Sequence, residues 1–178
     1  PPKRQIGRQY DSDPGAAASL ATTAGWGVAS ELRAMDIELS FTPCVDLHWR
    51  VSEIIRNRAV HRSANVVSEL AAAYSRGLRE GGMAAVAKHF PGHGAVVPDS
   101  HEQLPVDRRS ISDLLDDMRP SETLVGSRQL AGVMLAHIVY SEMDSLPAGL
   151  SNFWILNQLR SQLGYDGAVF CDDLSMKA

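Results

Sequence analysis

Apolar positions along the chain switch repeatedly between a helical and an extended period. Asp13-Pro14 predicts a helix start, with Asp13 as the capping residue and Pro14 at the first helical position, and the alanine-rich stretch to about Met35 supplies the helix. In residues 36–43, DIELSFTP, the side chains of Ile37, Leu39 and Phe41 fall on one side of an alternating run, which predicts a strand. Ser63 opens a second helix whose stripe is Val66, Val67, Leu70, Ala71, Tyr74 and Leu78, and Gly81-Gly82 ends it. Residues 83–87 form a short apolar run leading into Lys88-His89, a second strand. The segment FPGHGAVVPDSHEQLPVD that follows is too rich in Pro and Gly to be regular. Ser110 with Asp113 starts a helix through about Leu124. Residues 131–139, AGVMLAHIV, have the length of a strand. Ser151 caps a helix carrying Phe153, Trp154, Leu156, Leu159 and Leu163, closed by Gly164, and residues 167–171 form the last strand.

Helix and strand thus alternate four times, with strands that are almost continuously apolar. That pattern predicts an α/β fold with a parallel sheet covered by helices. A (β/α) barrel and a doubly wound open sheet both satisfy it. No G-x-G-x-x-G follows a strand, which weakens the dinucleotide-binding version of the second.

Composition narrows the classes. The 178 residues suit a single domain with a real core, and 44% hydrophobic against 21% charged residues is a soluble globular profile. A net charge of −4 carries no basic footprint, so no nucleic-acid partner is expected. No apolar run approaches the roughly 18 residues of a membrane span. Cys44 and Cys171 are isolated, which predicts a reducing compartment, the cytoplasm. PPKRQIGRQY at the start has no apolar stretch after its basic residues, and FCDDLSMKA breaks off just after a strand, so a piece of a longer chain is expected.

In parallel α/β folds chemistry gathers at the carboxyl ends of the strands. Those ends carry Asp46, Lys88-His89, His137 and Asp172-Asp173, and the loop after the second strand adds His93, Asp99 and His101. Asp99 and His101, two apart, can face each other as a proton-transfer pair; the same residues after Pro98 also make an ordinary turn. A carboxylate at the end of a buried strand is costly unless paired or used. One of Asp172 and Asp173 can therefore be a nucleophile or base and the other a helix cap, or both can be caps. Lys88 can reach solvent, His89 can be a bonded core histidine, Arg58 can be a surface residue, and Cys44 reads as core. A metal set of His89, His93, His101 and Asp99 is disfavoured, because Pro91, Gly92 and Gly94 deny the segment helical spacing; no metal and no cofactor are expected.

Taken together, KHFPGHG at 88–94, DSH at 99–101, LPVDRRS at 104–110, LAHIVY at 135–140 and VFCDDLSM at 169–176 resemble glycoside hydrolase family 3, nearest its bacterial β-N-acetylglucosaminidases of peptidoglycan recycling. The resemblance implies a TIM (β/α)8 barrel, present here as about four strand–helix units from the middle of a single barrel domain. Asp172 then matches the catalytic nucleophile, His101 an acid/base histidine and Asp99 its carboxylate partner, while Arg58, Lys88 and His89 match residues that bind hydroxyls of the −1 sugar. The implied substrate is a small carbohydrate, a terminal β-linked N-acetylglucosamine such as a muropeptide fragment carries, with no membrane or nucleic-acid partner. Three positions depart from the family pattern: Cys171 replaces Ser, Arg56 replaces Gly and Ser141 replaces Pro.

The implied chemistry is a retaining two-step hydrolysis through a covalent glycosyl-enzyme. A family 3 β-glucosidase, a β-N-acetylglucosaminide phosphorylase and an inactive sugar-binding barrel piece are the alternatives. As an isolated piece, the chain is expected to present exposed sheet edges, to self-associate and to be inactive.

Overall fold

Helix α2 (Pro14–Arg33) begins where the sequence places it: Asp13 is extended and its carboxylate accepts the Ala16 N–H at 2.9 Å. The structure, a computed structural model, describes residues 3–97 and 104–173. Before α2 lies a helix the sequence does not announce, α1 (Lys3–Tyr10). In this helix Ile6 and Tyr10, one turn apart, are too few to give a period to read. Docking holds it, since a Cβ on Gly7 would lie 1.8 Å from the Val60 carbonyl oxygen. Helix α3 (Ala64–Glu80) follows Ser63 and packs on α2 backbone to backbone. A Cβ on Gly25 would lie 2.2 Å from the Tyr74 carbonyl oxygen, and one on Gly77 would lie 1.9 Å from that of Thr22. Helix α4 (Ile111–Gly126) starts with the Asp113 carboxylate accepting the Ser110 N–H at 3.2 Å and its hydroxyl at 2.7 Å.

The strands are β1 (Leu39–Ser40), β2 (Ala84–Phe90), β3 (Val106–Asp107), β4 (Gly132–Leu135), β5 (Val139–Tyr140) and β6 (Ala168–Phe170). The main sheet is parallel in the order β1-β2-β4-β6, so successive strand–helix units lie side by side, the sequential order a barrel requires. Four expectations change in detail. The strand at 36–43 shrinks to Leu39–Ser40, although Val86 N–H still bonds the Thr42 carbonyl and Val45 N–H that of Lys88. Ile37, Leu39 and Phe41 face away from the helix layer and are exposed. The run at 131–139 splits, because residues 136–138 leave the sheet and β5 pairs instead with β3. That pairing also gives regular structure to the last two residues of the segment expected to be irregular. The helix after Ser151 is a π-helix (Phe153–Gln162), which buries Trp154, Gln158 and Leu159 and leaves Leu156 exposed.

Two cores lie side by side on the helix-covered face of the sheet. Ala85 and Ala87 of β2 face α2 and α3, while Val133 and Leu135 of β4 face α4 and the π-helix around Trp154. Alternate residues point to the other face. There the Phe41 and Phe170 rings meet edge to face at 5.2 Å, although β1 and β6 lie three strand spacings apart. Parallel side chains on a flat sheet would stay about 14 Å apart at that spacing. The face is therefore concave, as in a barrel interior. Gly132 makes room for it, since a Cβ there would be 2.5 Å from the Phe170 ring.

Candidate functional site

All four main strands run the same way, so Asp46, Lys88-His89, His137 and Asp172 share one end of the sheet. The centre of that end is Asp46, 1% exposed. Its Oδ2 is 2.7 Å from His89 Nδ1 and accepts the Cys44 thiol at 3.1 Å. Its Oδ1 accepts the His93 N–H at 2.7 Å and, more weakly, the His89 N–H at 3.4 Å. Burial works to raise the Asp46 carboxyl, but the charge and hydrogen bond of His89, with the contacts of His93, outweigh it and hold the group well below the usual carboxylate range. Burial and the Asp46 charge push the Cys44 thiol up to about 12, so it remains a thiol.

On its other side His89 faces Asp172, with Nε2 3.7 Å from Oδ2. Asp172 follows β6 by two residues, and its side chain is 16% exposed; its Oδ1 accepts the Asp173 N–H at 2.9 Å. Lys88 leans over the Phe41 ring, Nζ to centroid 5.9 Å. Burial and the nearby Arg58 guanidinium lower the Lys88 ammonium, against the pull of Asp172. Arg58 closes a short 3-10 turn (Arg56–Arg58). Arg56 takes φ 35° there, in the left-handed region that glycine favours. The departure noted in the sequence is thus a side chain placed on a glycine-like backbone.

A second polar group braces the segment after β2. Arg109 forks onto Asp107, with Nη2 at 2.8 Å from Oδ2, and reaches Asp117 through Nη1 at 2.8 Å. Trp49 Nε1–H also donates to Asp117, at 2.8 Å. Gly92 packs so closely on Asp117 that a Cβ would be 2.6 Å from that of the aspartate, and the Tyr140 hydroxyl donates to the Gly92 carbonyl at 2.7 Å. Gly94 lies against the Leu47 carbonyl, 2.1 Å from where its Cβ would be. Gly92 and Gly94 are therefore held by Asp117, Tyr140 and Leu47.

Of the sequence-derived candidates, Arg58, Lys88, His89 and Asp172 come together at one end of the sheet. Asp99 and His101 lie outside the described residues. Sequence reading noted Asp46 at a strand end but gave it no role, and left Cys44 as core; the signal available was a carboxylate inside the apolar run CVDL. The bracing group of Trp49, Asp107, Arg109 and Asp117 was not singled out, because charged residues around a helix start read as solvated and Trp49 lies 68 positions from Asp117. Among the described residues no three His, Cys, Asp or Glu side chains converge to hold a metal ion. No described helix is long and apolar enough to cross a membrane.

A curved parallel sheet with carboxylate, imidazole and ammonium groups at its carboxyl end is the architecture of a TIM-type (β/α) barrel enzyme. The sequence profile of the glycosyl hydrolase family 3 N-terminal domain matches residues 1–178, and the chain belongs to that family. It is 49% identical over 176 residues to a beta-hexosaminidase of Thioalkalivibrio sulfidiphilus, covering 99% of this chain and 50% of the relative. To a beta-hexosaminidase of Bordetella avium it is 50% identical over 177 residues, covering 99% and 51%. The chain thus spans about half the length of these relatives. Among solved structures it superposes on native NagZ from Neisseria gonorrhoeae with a TM-score of 0.94 at 43% identity, covering 99% of this chain and 52% of that one. A second structure of the same protein, in complex with N-trifluoroacetyl-D-glucosamine, gives the same score and identity, with coverage of 99% and 51%.

Proposed function

We propose that the full-length protein carrying this chain is a retaining β-N-acetylglucosaminidase that releases terminal N-acetylglucosamine from peptidoglycan fragments in the cytoplasm. The observation that carries the reading is Asp172: a partly buried carboxylate on a rigid strand end, facing His89 and near Lys88, in a member of a glycosidase family. The beta-hexosaminidase names of the relatives and the sugar analogue bound to NagZ support the substrate class. The two free cysteines suit a reducing compartment.

In the first step an Asp172 oxygen attacks the anomeric carbon as the glycosidic C–O bond breaks, and His101 gives its proton to the departing oxygen. In the second, neutral His101 takes a proton from water, the hydroxide oxygen bonds to the anomeric carbon, and the ester to Asp172 breaks. Asp99 keeps the His101 imidazole oriented and favours its protonated form. Arg58, Lys88 and His89 bind sugar hydroxyls, and the neighbouring cations steady the Asp172 charge between turnovers.

The test is hydrolysis of aryl β-N-acetylglucosaminide and aryl β-glucoside by the full-length protein, with and without phosphate. Preference for the N-acetyl sugar with no phosphate dependence is expected, together with loss of turnover in a folded Asp172→Asn variant. An activated 2-fluoro sugar should label Asp172 and not Asp173. Preference for the glucoside, sugar phosphate as product, or wild-type rates in Asp172→Asn would each overturn the reading.

A further inference from the structure

Asp46 is shut off from solvent and has no lone pair to spare, yet it touches both the residue facing the nucleophile and the backbone of the FPGHG segment. An ionised carboxylate offers about four acceptor sites and no donor. Here four donors fill them: His89 Nδ1 and the Cys44 thiol on one oxygen, the His93 and His89 backbone N–H groups on the other. A side chain needed only to neutralise a buried histidine would not also require a main-chain donor at His93, four residues along the segment that leads away from it.

We propose that Asp46 is a positioning residue for the reaction: it fixes the His89 imidazole with a proton on Nδ1 and Nε2 directed at Asp172, and ties that ring to the segment running toward Asp99 and His101. The inference rests on the glycosidase reading above. At 2.7 Å an acceptor-only carboxylate requires the proton to lie on Nδ1. That choice leaves Nε2 on the Asp172 side, 3.7 Å from Oδ2, too long for a direct bond and open to a substrate hydroxyl. With Asp46 gone, the bond that puts the proton on Nδ1 is lost, and the ring keeps its edge contact with His93, centroids 5.3 Å apart, without a polar hold on that nitrogen. The His93 N–H would also lose its acceptor. The ring that faces the nucleophile and the backbone at His93 thus share one anchor, and that anchor is itself shut off from the open end of the site.

The experiment uses the full-length protein with histidine labelled at both ring nitrogens. Nitrogen NMR of the wild type should show a protonated Nδ1 on His89, assigned with a His89→Gln variant. Asp46→Asn keeps the shape but supplies one acceptor oxygen in place of two. It should lower kcat on a dinitrophenyl β-N-acetylglucosaminide at least about 100-fold, in line with other orienting carboxylates, while KM changes less than about threefold and the His89 nitrogen signals move. A labile leaving group is chosen so that the loss does not reflect proton donation to the departing oxygen. An unprotonated Nδ1 in the wild type overturns the inference even if no Asp46 variant folds. A folded Asp46→Asn variant within about threefold of wild-type kcat overturns it while leaving the glycosidase reading intact. A wild type inactive on the N-acetyl sugar removes both.

Discussion

Replacing Arg109 with methionine keeps most of the side chain's apolar length and removes its charge. Asp107 and Asp117, both buried, would then share no cation. Breaking a buried ion pair by removing one partner costs about 3–5 kcal/mol, a large part of the roughly 5–15 kcal/mol that holds a typical protein folded. The cost should depend on pH, with a definite sign. Burial pushes the Asp117 carboxyl up, and Trp49 and Arg109 pull it back. Without Arg109 its folded-state pKa rises further above the unfolded value. The variant is then penalised most where the unfolded carboxylate is ionised and the folded one must shed its proton too. As pH falls through the raised folded pKa, the folded variant takes up a proton and recovers stability, by up to about 1.4 kcal/mol per pH unit for one group. Urea denaturation of the full-length protein and of Arg109→Met at pH 7.5, 6 and 5 measures this. A deficit of about 3–5 kcal/mol at pH 7.5 that shrinks by at least about 1 kcal/mol at pH 5 is expected. A deficit under about 1 kcal/mol, or one independent of pH, would refute the reasoning that the arginine neutralises buried carboxylates.

His101→Ala should slow aryl β-N-acetylglucosaminides with poor leaving groups far more than those with good ones, because only a basic oxygen needs protonating; equal losses across a leaving-group series would make His101 structural. Arg56→Gly should stabilise the protein by about 0.5–1 kcal/mol, since relief of roughly 1–2 kcal/mol of left-handed strain exceeds the added unfolded-state entropy of glycine. Thermal denaturation checks it, and a lower Tm would show that the Arg56 side chain makes a contact worth more than the strain.

What the sequence disclosed follows from which forces are local. Caps and helical stripes depend on residues a few positions apart, so Asp13, Ser110 with Asp113, and the stripe ending at Leu78 could be read directly. The alternation of elements implied the parallel sheet, and the strand ends then singled out Lys88, His89 and Asp172. Helix α1 was invisible because Ile6 and Tyr10 make too short a pattern; it is held by contact with Val60, more than fifty residues away. The split of 131–139 depended on β3 offering β5 a partner, and no run of apolar residues announces that. The π-winding after Ser151 leaves the same apolar residues in the sequence as an α-helix would. Asp46 was seen at a strand end, but its importance lies in whom it meets, His89 and His93, more than forty positions on.

The contact between Phe41 and Phe170 reaches beyond packing. It joins the first and last strands of the main sheet across their hollow side, next to the residues that carry Lys88 and Asp172. Two rings in contact work as a gauge: they set the width of the opening across which an ammonium and a carboxylate look at each other. Trimming either ring would let the rim spread and lengthen that distance with every charged group still in place. The width of this end of the sheet is consequently set from beneath, by two phenylalanines with no polar atom in their side chains.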